Sequence, residues 1–203
     1  MSEMTGAIAE ANPPTWAEDV LRLLLKPEDR DSVSGDLLEE YRETLHAGRG
    51  RVAADRWYVR QVAGFMWRAT WRWGALLATL TMARSALDWF LPPASFYTRS
   101  LVTTYTHVAV FVSVGFCAVW RGRSLSSAAA TGLGAQIMAA PMIFVSTLVL
   151  MAVWHDPQTL EAIEQSGGIG ELFTLPLAVM GPAVLLSTLG GAFGLTLRRS
   201  RSQ

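Results

Sequence analysis

Apolar residues gather in four long stretches in the C-terminal part of the chain, and short polar segments separate them. The stretches extend over about residues 73–91, 101–120, 127–154 and 172–197. A helix requires about 20 predominantly apolar residues to cross a bilayer, and each stretch approaches or exceeds that length. The third stretch is the longest and carries Pro141 near its middle, which favours a tilted or kinked helix. The pattern therefore predicts an all-α membrane protein with a four-helix transmembrane bundle.

A different pattern precedes the bundle, where short apolar stripes at helical spacing alternate with charged residues over 15–54. Thr15 and Glu18 have the spacing of a capping box, which predicts the start of a first helix. Pro27 ends that helix and favours the start of a second one. Short amphipathic helices bury little surface alone, so we expect these two to pack on each other and on the helix that follows. Residues 15–54 are therefore predicted to form a small cytosolic helical module, preceded by a flexible leader at 1–14.

Residues 55–73 connect the module to the bundle and combine arginines with aromatic side chains. The residues expected at the membrane interface are Arg56, Trp57, Arg60, Trp67, Arg68, Trp71, Arg72 and Trp73. Aromatic rings concentrate at the depth of the lipid headgroups, and arginines favour the cytoplasmic side. Steps of four residues turn the arginine series by about 40° each, so the series winds around the helix instead of forming one basic face. We therefore predict an amphipathic joint helix that rises from the cytosol into the bilayer.

The charges outside the spans predict the orientation of the chain. The formal net charge is zero, and no basic excess indicates nucleic-acid binding. Arginines accumulate in the joint helix, at Arg121 and Arg123 after the second span, and in the tail at 198–203. The other two loops hold only Arg99 as a basic residue. Because positively charged loops stay in the cytoplasm, four spans place both termini there. The single Cys117 excludes an intramolecular disulfide framework.

Four polar side chains lie deep within the predicted spans. Arg84 and Asp88 carry formal charges, which cost about 2.5–3.5 kcal/mol each at the centre of a membrane helix, and their spacing of four allows them to pair. His107 and Gln136 are the other two. The four side chains either line a path for an ion or a substrate, or they form a neutralised pair and hydrogen bonds between neighbouring helices.

The second helix of the module presents candidates for binding a partner. These are Asp36, Glu39, Glu40, Tyr41 and Glu43. Carboxylates along one regular helix seldom converge on one ion, and no calcium-loop pattern is present, so we expect a solvated or partner-binding surface. One specific hypothesis is that this surface docks against the arginines of the joint helix. In the last span, Gly190 and Gly194 have the small-xxx-small spacing that permits close helix packing, either within one chain or in a homo-oligomer.

Part of the N-terminal region resembles a known module. Its most specific string is Gly35-Asp36-Leu37-Leu38-Glu39-Glu40-Tyr41. Over roughly residues 13–65 the chain is similar to the permease prefix domain, which precedes the membrane part of some bacterial ABC-type permeases of the macrolide-exporter-like kind. The resemblance implies a bacterial inner-membrane protein with a regulatory or docking module. It does not carry permease activity over, because those permeases continue into a large extracytoplasmic domain and this chain continues into close-set spans.

The motifs that would indicate an enzyme are missing from the sequence: there is no phosphate-binding loop, nucleophile elbow or zincin pair. We therefore expect no catalytic residues, no cofactor and no metal. The predicted function is that of an accessory or regulatory protein in the lipid bilayer, which binds a transporter or regulator through its module. The alternative is a small transporter or channel-like subunit with a polar path involving the four side chains at depth.

Overall fold

The computed structural model describes residues 12–46, 50–91, 97–153, 157, 161, 164 and 169–201, and these residues include no β-strand. The α-helices are α1 Thr15–Leu24, α2 Arg30–His46, α3 Arg51–Phe90, α4 Tyr97–Trp120, α5 Leu125–Val153, α6 Ile169–Ala178 and α7 Met180–Arg201. A short 3-10 turn, Pro27–Asp29, separates α1 from α2. The predicted leader, apart from residues 12–14, and the last two residues of the tail lie outside the described residues.

Three segments of the described chain are long and apolar enough to cross a membrane. They are α4 with 24 residues, α5 with 29 residues, and the 29-residue segment Phe173–Arg201. The predicted all-α class is confirmed for the described residues, and the three segments are consistent with a membrane protein. The stretch 73–91 is not among the three, because Arg84 and Asp88 make it less apolar.

The segment predicted as one last span is divided into α6 and α7 by a turn at Val179. Pro176 lies inside α6, and Pro182 lies in the first turn of α7. Proline has no N–H, so Pro182 cannot donate the usual helical hydrogen bond to the carbonyl of Ala178. The missing bond accounts for the position of the break.

The longest element is α3, an uninterrupted helix of 40 residues. The predicted joint helix and the stretch 73–91 are therefore parts of a single helix, with no break at Gly64 or Gly74. At 1.5 Å per residue its length is about 60 Å, roughly twice the thickness of a bilayer's hydrocarbon core. One helix is thus long enough to belong to two separately packed regions of the protein.

The first of these regions is a bundle core formed by α3, α4, α5 and α7. Its buried side chains are Leu77, Ala78, Val110, Phe111, Val114, Ala135, Ala139, Ile143 and Ala183. Alanines predominate on α5, so the neighbouring helices approach it closely. At Gly74 on α3, an added Cβ would lie 2.6 Å from Met138 Cβ and 3.0 Å from the Ala135 carbonyl oxygen. Glycine is therefore required at the place where α3 crosses α5.

The contact between α4 and α7 is the most extensive one between the helices described above. An added Cβ at Gly190 would collide with the Val112 carbonyl oxygen, and one at Gly194 would lie 3.2 Å from the Phe116 carbonyl oxygen. The hydroxyl of buried Ser187 donates a hydrogen bond of 3.1 Å to the Phe111 carbonyl across the same contact. Close packing at the two predicted glycines is thus seen between helices of one chain.

The second packed region joins α1, α2 and the first part of α3, as the apolar pattern predicted. Its buried side chains are Ala17, Leu21, Leu25, Leu37, Tyr41, Ala54, Tyr58 and Val62. The predicted capping box is wrong, because Thr15 is already inside α1 and its side chain makes no capping hydrogen bond. The Pro14 carbonyl instead accepts hydrogen bonds from the N–H groups of Ala17 and Glu18. Since α1 also contacts α5, this region is packed against the bundle.

Candidate functional site

A row of polar side chains lies where α3 and α4 meet, and we call it the polar seam. It consists of Thr81, Arg84 and Asp88 on α3 and Arg99, Thr103 and His107 on α4. Spacings of three and four residues put the members from each helix on one face of that helix. The seam therefore gathers three of the four side chains that the sequence placed at depth.

At one end of the seam, Asp88 lies between two arginines. Arg84 Nε donates to Asp88 Oδ2 at 3.0 Å, and Arg99 Nη1 donates to Asp88 Oδ1 at 3.1 Å. Arg99 also donates to the Leu87 carbonyl at 2.9 Å, so it joins the last turn of α3 to the first turn of α4. The side chains of Arg84, Asp88 and Arg99 are 26%, 16% and 30% exposed. Two guanidinium groups on one carboxylate leave a formal excess of one positive charge.

The role of Arg99 was missed by the sequence analysis, which treated it as a loop charge. The signal was its position just beyond the short proline-containing segment that follows α3. A short connection between two antiparallel helices returns the chain close to the end of the first helix. A basic residue there is well placed to reach a carboxylate in that helix's last turn.

At the other end of the seam, His107 is held by two hydrogen bonds. Its Nδ1 lies 2.8 Å from the Thr103 carbonyl oxygen and must donate there, since a carbonyl can only accept. Its Nε2 lies 3.0 Å from Thr81 Oγ1, which in turn lies 3.0 Å from the Leu77 carbonyl oxygen. The Thr81 hydroxyl has one proton, which it donates either to the imidazole or to that carbonyl. When the proton goes to Nε2, the hydroxyl attaches His107 to α3.

Gln136 lies outside the polar seam. Its Nε2 donates a buried hydrogen bond of 2.8 Å to the Pro176 carbonyl, which ties α5 to α6. The acceptor of this hydrogen bond is thus a backbone carbonyl that lies two residues before the end of α6. The four side chains at depth are therefore divided between two helix contacts, and each one has a hydrogen-bond partner within the chain.

The carboxylates on α2 form an exposed group, which we call the acidic surface. Its members are Asp36, Glu39, Glu40 and Glu43, and all four are exposed. The exposed side chains of Arg56, Arg60, Arg68 and Arg72 form no ion pair with it in the described part of the chain. The structure therefore gives no support to the hypothesis that the acidic surface docks on the arginines of α3.

Tyr41 does not belong to the acidic surface, which corrects its prediction as a docking residue. Its side chain is 0% exposed and packs edge-on against Tyr58 on α3. Its hydroxyl donates a hydrogen bond of 2.7 Å to Asp55 Oδ1. Burial, together with the hydrogen bond and the negative charge of Asp55, raises the pKa of Tyr41 to about 12. Tyr41 therefore fastens α2 to α3.

Two of the four predicted interface tryptophans lie on the exposed surface of α3, whereas Trp57 and Trp73 are half-buried and pack against the two cores. Trp67 is 56% exposed and Trp71 is 43% exposed. The guanidinium of Arg72 lies 5.5 Å from the centre of the Trp71 ring, within the range of a cation–π contact. Exposed tryptophans beside arginines are typical of side chains at lipid headgroup depth.

Among the described residues, no group of three or more His, Cys, Asp or Glu side chains has the arrangement of a metal site. The comparisons with known proteins return no match to a family model, to a curated protein or to a solved structure.

Proposed function

We propose that this chain is a four-span membrane protein that recruits a basic protein partner through the acidic surface. The observation that carries the proposal is the exposure of all four carboxylates on α2, a helix packed against α3. Four exposed carboxylates against the single Arg42 among them give this part of α2 an acidic character, which attracts a basic surface and speeds its association. The chain is then an accessory or regulatory component of a membrane system.

The C-terminal part of α3 serves as the fourth span in this proposal. Support comes from Leu77 and Ala78, which are completely buried against the other bundle helices. The part from Gly74 to Phe90 is about 25 Å long at 1.5 Å per residue, close to the thickness of a hydrocarbon core. The ion pairs at Asp88 reduce the cost of placing charged groups near the end of such a span.

The distribution of arginines supports a cytoplasmic location for both ends of the chain. Arg121 and Arg123 follow α4, and Arg198, Arg199 and Arg201 lie in the last turn of α7. With four spans, these groups and the arginines in the first part of α3 share one side of the membrane, which the positive-inside rule assigns to the cytoplasm. A bacterial inner membrane is the location that the resemblance to permease prefix domains implies, and the resemblance itself stays a prediction.

Regulation is supported by the continuity of α3. The same helix carries Tyr58 and Val62 in the core shared with α1 and α2, and Leu77 and Ala78 in the bundle core. The acidic surface lies on α2, which packs against α3. A partner that moves α2 therefore also exerts a force on α3, and α3 is packed into the bundle. Without a flexible linker in α3, such a displacement cannot be absorbed between the two regions.

A small transporter or channel-like subunit is the alternative function. It is favoured by the formal positive charge of the polar seam, which would attract an anion. Reconstituted vesicles distinguish the two functions: an ion flux abolished by Arg84→Ala and by Asp88→Asn would support transport and contradict a purely accessory role.

Site-specific photo-crosslinking in native membranes tests the docking function. A photoreactive residue placed at Glu39 or Glu43 should capture one and the same protein, and the charge reversals Asp36→Lys and Glu40→Lys should abolish that capture. Asp19 is the matched control, since it is an exposed carboxylate on α1 and lies outside the acidic surface. Equal capture from position 19, or capture that is insensitive to charge reversal, would refute the proposal.

A further inference from the structure

A half-open groove lies where the N-terminal region meets the bundle, and we call it the basic groove. Lys26 from the segment after α1, Arg68 from α3 and Arg123 from the turn between α4 and α5 contribute to its lining. Leu25 and Phe65 form part of an apolar wall. Three cationic side chains from three separate parts of the chain thus converge on one concave surface.

The positive charge of the basic groove is poorly compensated from within the chain. Arg68 and Arg123 form no ion pair in the described residues, and Asp29, the carboxylate that also lines the groove, pairs with none of its cations. Lys26 Nζ lies 3.4 Å from Glu28 Oε1, but both side chains are exposed and such pairs are weak. The groove therefore retains a net positive charge.

Arg123 is the least solvated of these cations. Burial, and the positive charge of Arg121 beside it, lower the pKa of Arg123. Arginine nevertheless stays charged in proteins, so its half-buried guanidinium is stabilised most by an anion that accepts its hydrogen bonds. Two guanidinium groups match the oxygens of a phosphate, and Lys26 supplies a further positive charge.

The position of the groove indicates where such an anion comes from. Arg68 directly follows the exposed Trp67 on α3, and Arg123 lies three residues after Trp120, the last residue of the apolar helix α4. Arg68 therefore lies just before the proposed membrane-crossing part of α3, and Arg123 lies just after α4, which places both at the depth where phospholipid headgroups are found. The apolar wall suits the glycerol and first methylene groups of a lipid better than it suits a fully hydrated ion.

We propose that the basic groove binds the phosphate group of an anionic phospholipid through Lys26, Arg68 and Arg123. Because Lys26 belongs to the N-terminal region and Arg123 to the bundle, the bound headgroup joins the two regions. The inference rests on the proposed membrane orientation and is independent of the acidic surface and its partner.

Lipid binding to the purified full-length chain in zwitterionic detergent tests the proposal, with fluorescent phosphatidylglycerol as ligand and phosphatidylcholine as competitor. The double variant Arg68→Gln/Arg123→Gln should bind phosphatidylglycerol on the order of ten- to thirty-fold more weakly. The matched control is Arg60→Gln/Arg72→Gln, which removes two exposed arginines of α3 outside the groove and should bind as the unmodified chain does.

The outcomes separate a specific site from a diffuse charge effect. Equal weakening in the control variant, or competition by phosphatidylcholine as effective as that by unlabelled phosphatidylglycerol, would overturn the proposal. Equally effective competition by inorganic phosphate would identify a soluble anion and overturn the assignment to a lipid. If the double variant does not fold, Lys26→Gln keeps the test decisive, because it changes an exposed residue. This variant should weaken phosphatidylglycerol binding several-fold. Unchanged binding would contradict the proposal.

Discussion

Replacing Gly190 with alanine tests how closely α4 and α7 must approach each other. A Cβ at this position would collide with the Val112 carbonyl oxygen and would lie 2.8 Å from Val112 Cα. Backbone atoms cannot rotate away as a flexible side chain can, so the two helices must move apart. Overpacking of this kind lowers the free energy of unfolding by about 1–3 kcal/mol.

Separation of α4 and α7 also weakens a second interaction. The hydroxyl of Ser187 donates to the Phe111 carbonyl at 3.1 Å, one turn before Gly190, and both groups are buried. Hydrogen bonds between membrane helices contribute about 0.6 kcal/mol on average. The expected loss for Gly190→Ala is therefore about 1.5–3.5 kcal/mol in total.

Gly64→Ala is the matched control, since Gly64 lies in the interior of helix α3 and its added Cβ would meet no atom of another helix within 4 Å. Alanine favours the helix by at most about 1 kcal/mol, so this variant should be neutral or slightly stabilised. Equilibrium unfolding in mixed micelles with increasing SDS, followed by circular dichroism, measures both variants. If both unfold at the same SDS fraction, α4 and α7 do not require their close approach and the reasoning is refuted.

Three further changes test the other contacts. Tyr41→Phe removes a hydrogen bond to a carboxylate and should lower the stability of the N-terminal region by about 1.5–3 kcal/mol, measured by protease sensitivity. Because the folded pKa of Tyr41, about 12, exceeds the ordinary value of 10.0, its stabilising contribution is complete below pH 10 and is lost as the pH rises towards 12. The phenylalanine variant should lack this alkaline loss. Asp88→Ala leaves two guanidinium groups without a counter-charge and should destabilise the bundle by about 1–3 kcal/mol, less than a fully buried pair would. Adding Arg84→Ala should restore part of that loss, and no restoration would contradict the ion-pair account. Glu39→Lys with Glu43→Lys should leave protease sensitivity unchanged, since these side chains are exposed; increased sensitivity would revive the hypothesis that the acidic surface docks on α3.

The apolar pattern was sufficient to predict three helices that are long and apolar enough to cross a membrane, because a membrane-crossing helix requires a length and a composition that are visible in the sequence. It did not predict that α3 is continuous. Glycine disfavours a helix by only about 1 kcal/mol, and the packing of Gly74 against α5 outweighs that preference. Helix propensity alone therefore leaves the continuity of α3 open, and the contact at Gly74 favours it.

The site was predicted in part, for reasons that differ between residues. Arg84 and Asp88 could be paired from their spacing alone, whereas the contact of Arg99 depends on how the chain returns after α3. For Tyr41 the signal was available, because it lies four residues after Leu37 on the apolar stripe of α2 and both are buried. Tyr41 was grouped with the neighbouring carboxylates as a docking candidate, and the helical periodicity was the better guide.

The continuity of α3 has a consequence for changes in chain length. An insertion of one residue between Val62 and Leu77 would rotate one packed region relative to the other by about 100° and shift it by about 1.5 Å along the helix. An insertion of seven residues, close to two full turns, would restore the angle to within about 20°. The number of residues in α3 thus sets the orientation of one packed region relative to the other. Substitutions in this helix are therefore tolerated more readily than insertions or deletions.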